Sequence, residues 1–506
     1  MNLGRPFLAL STLSLAVGLS GCAGSSQPAP PPAPASSLSK KTVPSVVIPP
    51  TGWTEDKKAV HALSRLAYGP RAGDVEKVAR QGVESWIREQ MAPAGLEDAE
   101  TETKLHGLPT VALSIPALFR EFPRPQDVAP KNGIDKDGPQ KKRTAMIGQQ
   151  LAAAKLVRAV ESRRQLQEVL VDFWFNHFNV FADKGEDRWM VGSYERDAIR
   201  PNVLGGFRDL LGATASHPAM LFYLDNWRST RDGWKDRGLN ENYARELLEL
   251  HTLGVEGGYT EADVREVARC FTGWSLVSPR AARAPARRGP ATDLEAGSFV
   301  YRDAAHDKGE KRVLGTAIPA GGGRADGEIV LDLLVRHPAT ARTVATKLCR
   351  RFVSDDPPSA LVARVAAVFR RTGGDLPSVY AAVFSSAEFW SDDAFRAKTK
   401  TPLELAASAV RALGGSVNPA QAAPLAQHVA RMGEPLYRCP PPTGFSDVAE
   451  AWVNAGALLN RLNFAAALAA GRIPGVSRDL ALLAPGSPDP VRVAALALGS
   501  PEFQKR

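Results

Sequence analysis

Cysteine is scarce in this 506-residue chain: four residues, at positions 22, 270, 349 and 439, with no CxxC among them. That excludes a disulfide-rich scaffold and argues against a sulfur-ligated metal site. With Cys22 used elsewhere, as argued below, three cysteines remain and at most one bridge can form. Cys270 and Cys349 fall in apparent helices and Cys439 in the loop RCPPPTGF, which favours a buried free thiol for at least one of them. Also missing are HExxH, a Walker loop and GxGxxG; Gly321 to Gly323 match none of these and read as a flexible turn. No internal repeat of useful length is visible. No apolar run is long enough to span a bilayer as a helix. The basic runs, Lys141 to Arg143 and Arg280 to Arg288, read as Pro- and Gly-rich loops without interleaved aromatics. The formal charge of +9 is therefore taken as a solvated basic surface, with no nucleic-acid partner expected.

What is present begins at the N-terminus. Residues 1–22 carry Arg5, an apolar run from Phe7 to Val17, then Leu19, Ser20, Gly21 and Cys22. This is the pattern of an export leader ending in a lipobox, with lipidation expected at Cys22. The expected location is the cell envelope, the partner a membrane held through the lipid. Gly24, rather than Asp, follows Ala23, which allows the outer membrane if the cell has two. Residues 23–50 are Pro, Ala and Ser with little to bury, a disordered tether. Residues 51–506 form the body.

In the body, apolar residues recur at three- and four-residue spacing over Ala59–Ala67, Val75–Met91, Val111–Phe122, Ala145–Glu161 and Leu166–Phe181. The same spacing returns over Gly327–Arg336, Ala339–Phe352, Ala360–Arg371, Leu376–Ser385, Pro402–Leu413 and Val448–Ala469. Only Ser298–Gly315 reads as a β-hairpin. The expected fold class is mainly α, a large multi-helix globular body with one short hairpin.

Two stretches carry chemistry. In Leu239–Leu276, Asn240 can cap a helix that Gly254 ends, Gly257 and Gly258 turn the chain, and Thr260 with Asp263 resembles a capping box opening a second helix. The first helix is amphipathic, with Glu241, Arg245 and Glu249 on the polar side, flanked by Asn242 and Glu246. In the second stretch, Glu168–Asp183, the residues Glu168, Asp172, Asn176, Asn179 and Asp183 form one polar stripe on a helix otherwise packed with aromatics. Such a stripe must find partners inside the protein. We expect Asp172 and Asn176 to find theirs on the Asn240 helix. His177 and His251 both read first as core histidines.

The phrases FWFNHFNV (173–180), NENYARELLELHTLGVEGGYTEADVREVARCFTGW (240–274), HDKGEKRVLG (306–315) and RHPATARTVATKLCRRFVSDDPP (336–358) resemble an exported bacterial family, domain of unknown function eighteen-hundred. The resemblance runs from about Lys57 to Ala469. It implies a mostly helical fold and supplies no established activity. It also implies a neighbourhood with a second exported family that resembles sulfatases and phosphatases, a candidate partner.

Two functional readings stay open. One is a hydrolase acting on an extracellular polymer, with catalytic candidates Glu241, Arg245, Glu246, His177, His306 and Asp307, and with Asp172, Asn176, Asn240 and Asn242 as binding residues. His306 and Asp307 need a turn between them to cooperate, because neighbours on a strand point to opposite sides. A metal held by His177, Glu246 and Asp263 has no supporting spacing, so no metal is assigned, and the cofactor is unknown. The other reading is a non-catalytic scaffold that binds a glycan or a protein partner. Convergence of the Glu168 stripe, the Glu241 helix and His306 on one pocket would separate the two.

Overall fold

The computed structural model describes residues 43–124, 138–278 and 295–506. The leader, Cys22, most of the tether and the Arg280–Arg288 run lie outside the described residues. The fold is mainly α, and among the described residues the named strands form two small antiparallel pairs.

Long apolar periodicity translates into helices, and glycine or proline decides where they break. The Val75–Met91 stretch divides into Asp74–Gln81 and Val83–Gln90 because Gly82 between them sits at φ +87°, a conformation that a side-chain-bearing residue rarely adopts. The Val111–Phe122 stretch divides likewise into Pro109–Ala112 and Ile115–Glu121, the second capped by Ser114, whose hydroxyl accepts from Ala117 N–H.

The longest helix, Pro139–Glu161, buries Leu151, Ala154, Leu156, Val157 and Val160. It packs against Ala99–His106, Pro109–Ala112, Pro402–Ala412 and Ala423–Arg431. Lys141 to Arg143 lie in its exposed opening turns, not in a loop. Beside it runs Gln165–His177, nearly every residue of which is buried. Trp174 on this helix is fully enclosed; its Nε1–H donates to the Tyr380 hydroxyl at 2.6 Å, which donates in turn to Val203 O at 2.7 Å.

The Leu239–Leu276 segment is the helix, turn and helix that its residues suggest, with one difference. Asn242–Glu246 is α-helical, but Leu247–Thr252 continues as a π-helix before Gly254, at φ +85°, ends it. The second helix, Glu261–Cys270, opens on the reciprocal capping box of Thr260 and Asp263. The expected hairpin also differs in extent. Phe299–Tyr301 pairs back with Trp274–Leu276, and the hairpin proper is Lys311–Val313 with Thr316–Ile318. Periodicity marks extended chain but does not choose its partner. The three body cysteines are free and buried. Among the described residues no helix is long and apolar enough to cross a membrane.

Candidate functional site

The polar stripe does lie inside, but its partners are not on the Asn240 helix. Glu168 makes a two-point ion pair with Arg200, at 2.6 and 2.9 Å. Asp172 Oδ1 receives the Lys155 ammonium at 2.8 Å, from the Pro139–Glu161 helix. Asn176 reads both backbone groups of Phe445, donating to its carbonyl at 2.8 Å and accepting from its N–H at 2.7 Å. The helix stops at His177, so Asn179 and Asp183 leave the stripe. Asn179 still donates to Cys439 O and Pro441 O, both at 2.9 Å. The loop Cys439–Asp447 is thus laid along the end of the helix by two asparagines. Gly444, at φ +72°, allows the close approach: a Cβ there would sit 2.3 Å from Asn176 O.

Between helix and loop lies a cavity of about 40 Å³, lined among others by Lys155, Asp172, Arg351, Glu434, Tyr437 and Asp447. That is room for water rather than for a sugar ring. Its walls are charged and buried. Lys155 sits 3.5 Å from Glu195 as well and lies over the Tyr437 ring, 4.8 Å from its centre. The Tyr437 hydroxyl donates to Glu195 at 2.7 Å. Burial alone would raise Glu195, yet Lys155 and Arg200 hold it down to about 2. On the opposite wall Arg351 pairs with Glu404 at 2.8 Å and Asp447 at 3.3 Å, and Arg506 with Glu404 at 3.0 Å.

Glu434 is the exception in this cluster, because among the described residues no cation makes an ion pair with it. Its Oε2 accepts from Leu403 N–H at 2.8 Å. Burial, and then the neighbouring Asp172, push its carboxyl well above the ordinary carboxylate range. One cavity therefore holds a carboxylate tied to a lysine and a carboxyl whose burial favours its protonated form. A buried carboxyl held above the usual range can serve as a general acid beside a carboxylate that accepts a proton. Burying so many ions does not by itself favour folding, since each must be desolvated.

A second cleft, about 180 Å³, shares Phe173, Asn176, Phe445, Ser446 and Asp447 with the first and is closed on its other side by His177, Lys347 and Arg350. Burial lowers Lys347 to about 8. Its Nζ lies 3.0 Å from His177 Nδ1 and donates to Leu250 O at 3.1 Å. His177 Nε2 is 3.1 Å from His251 O. Burial, then Lys347, drives His177 well below its usual value, so the ring is neutral. Nε2 then carries its hydrogen toward the carbonyl, and Nδ1 accepts from the lysine. His251 is likewise lowered by burial and Lys347, to about 3.

The remaining candidates are scattered. Arg245 turns outward to Glu261 at 2.7 Å, with Glu241 at 3.7 Å. Asn240 Oδ1 accepts from Asn242 N–H at 3.0 Å, and the Asn242 amide donates to Leu224 O at 3.2 Å. Glu246 is half-buried and raised by burial and then by Glu249, and it lines neither cavity. His306 and Asp307 do not act as a pair: His306 is enclosed between Thr272 O, at 2.8 Å, and Asp326, at 3.1 Å, while Asp307 faces Arg269 at 2.8 Å. The short turn separates them, as alternation along an extended chain would. Asp263 is occupied by its cap and by Leu314 N–H at 2.7 Å. Among the described residues no three His, Cys, Asp or Glu side chains are grouped to hold a metal ion.

Lys155, Glu195, Arg351, Glu434, Tyr437 and Asp447 escape a reading based on the two stretches. One signal was available. Lys155 stands alone in the apolar run LAAAKLV, and a lysine on the buried side of a helix implies a buried acid.

The model of a family described as protein of unknown function (DUF1800) matches residues 61–505. No curated protein and no solved structure matches the chain.

Proposed function

This chain belongs to the DUF1800 family, and from that premise we propose that it is a hydrolase acting on an extracellular polymer, with its acid–base pair at Asp172 and Glu434. The observation that carries this reading is that the buried Glu434 carboxyl, pushed upward by burial and then by Asp172, lines the same small cavity as the lysine-tethered Asp172. In the proposed chemistry, Lys155 takes Asp172 Oδ1 and leaves Oδ2 for a water, for which the cavity has room. Asp172 draws the proton from that water as it attacks. Glu434 supplies a proton to the departing oxygen. In this proposal substrate enters by the adjoining cleft, beside Asp447 and Lys347, and its scissile bond reaches Asp172 and Glu434 across the Asn176, Phe445 and Asp447 wall that cleft and cavity share. The body is carried on a lipid at Cys22. Incorporation of labelled fatty acid, lost in Cys22→Ser, tests that part separately.

The catalytic part is tested by screening exported polysaccharides, esters, and phosphate and sulfate esters, with and without chelator. Glu434→Gln and Asp172→Asn should each lower any activity found by roughly 100-fold or more, with Glu246→Gln unaffected. Activity that survives Glu434→Gln would remove the proposed acid. The scaffold reading has its own support in an exposed apolar face near the C-terminus. It becomes the better one if the screen is empty and the protein captures a defined glycan or exported partner.

A further inference from the structure

An open groove of about 690 Å³ lies between the helices Pro338–Phe352 and Ser359–Thr372, which pack on each other. It meets the cleft beside Asp447 at Arg350, which lines both. That cleft in turn shares Asn176, Phe445 and Asp447 with the inner cavity. A single path of lining residues therefore runs from the groove to Asp172 and Glu434. The groove has the volume of a ligand-sized site, whereas the inner cavity has room for water.

The two helices bring mostly one sign of charge to it. From Arg336 to Arg371 the chain carries eight Lys or Arg against two Asp. Arg342, Thr346 and Arg350 line the groove at four-residue spacing and so share one helix face. Arg342 and Arg350 are two turns, about 12 Å, apart along it. Ala363, Ala366 and Arg370 line the opposite helix at three- and four-residue spacing. Arg342 and Arg370 are exposed, and among the described residues neither makes an ion pair. Arg350 is steadied through Nε–H donation to Asp355 O at 3.0 Å, not by a carboxylate. Of the two aspartates, Asp355 is held by Lys398, and Asp356 is the one carboxylate lining the groove. Lys347 continues the cations into the cleft. Guanidinium groups on both banks suit planar or tetrahedral anions taken at two points. No aromatic side chain lines the groove, so it offers nucleobases nothing to stack on.

We propose that this groove is the binding track for an acidic polysaccharide, one bearing carboxylate or sulfate groups along its length, and that it leads the polymer to the cleft. The inference rests on the hydrolase reading for the reaction, and on the groove's own residues for the class of polymer. The test reads binding rather than turnover. The full chain is titrated by calorimetry with polygalacturonate, dextran sulfate, neutral dextran and single-stranded DNA. The expected result is binding to the two acidic polysaccharides that weakens with salt, and none to dextran; the stronger of the two tells carboxylate from sulfate. Arg342→Gln with Arg370→Gln should lower that affinity by at least about tenfold. Ala363→Glu, which sets a carboxylate among the arginines, should lower it in the same direction. Arg472→Gln with Arg492→Gln removes the same charge from exposed positions outside the groove and should leave binding unchanged. The proposal is overturned if neither acidic polysaccharide binds, if the remote pair weakens binding as much as the groove pair, or if DNA binds as tightly and is lost in the same groove variants. Acidic polysaccharide that binds in the groove and is not cleaved upholds this inference and removes the acid–base pair instead.

Discussion

Two helices of this chain carry carboxylates at helical spacing, and they end in opposite environments. At the N-cap of Asn242–Glu246 and on that helix, Glu241 and Arg245 lie at the surface, and Arg245 swings across to Glu261. On Gln165–His177, Glu168 and Asp172 are drawn inward and meet Arg200 and Lys155 from other segments. The local spacing is the same. What differs is the rest of each helix: the first has a polar side that water can solvate, whereas the second has aromatics all round, so its polar groups must be satisfied by protein. An ion pair in water gains little over its separated ions, while a buried pair that loses one partner leaves a charge with neither water nor counterion.

The largest effect should come from removing the lysine that holds the interior cluster together. Lys155→Met keeps the length of the side chain but leaves Asp172 and Glu195 facing each other without their shared cation. Chemical denaturation should show a loss of about 3–5 kcal/mol. A loss no greater than that of an exposed substitution would mean that the cavity is wetter than its burial implies, and the contrast between the two helices would collapse.

A smaller effect with a definite sign should come from Glu434. Its folded-state value is raised, so the native protein keeps a proton that the unfolded chain releases above the ordinary carboxylate range, near 4.3. Stability is therefore highest below that range and declines as pH rises through the window up to the folded value, at most by about 1.4 kcal/mol per pH unit. Glu434→Gln should flatten the decline and make the variant comparatively more stable at neutral pH than at pH 4, while Leu403 N–H keeps an oxygen to bond. Thermal unfolding of both proteins across pH checks this, and identical slopes would show that Glu434 is already ionised.

The smallest effect should be at the surface. Arg245→Ala breaks the contacts with Glu261 and Glu241 and should leave the unfolding midpoint within the scatter of ordinary exposed substitutions. A drop approaching that of Lys155→Met would show that the Leu239–Leu276 segment carries more of the fold than its exposure suggests.

Much of the fold follows from local signals. The capping box at Thr260 and Asp263, the stop at Gly254 and most helical spans could be read from neighbouring residues, because caps and periodicity act within one or two turns. The free state of the three body cysteines agrees with their odd number. The candidate site was half legible. Asp172 and Asn176 were picked out by a stripe with nowhere to go, whereas the polar side of the Asn240 helix pointed to Glu246 and sequence adjacency to His306 and Asp307, which the fold sends elsewhere.

The sequence by itself determined that the body is mainly helical, where its helices run, and that the Glu168 stripe needs partners inside the protein; these depend on side-chain period and on capping chemistry between near neighbours. Only the tertiary structure decided who those partners are. Lys155 meets Asp172 across a helix–helix contact, Phe445 meets Asn176 across 269 residues of chain, and burial, then the neighbouring Asp172, push the Glu434 carboxyl above its ordinary range. No local pattern encodes any of these, because desolvation and charge proximity exist only once distant segments have packed together.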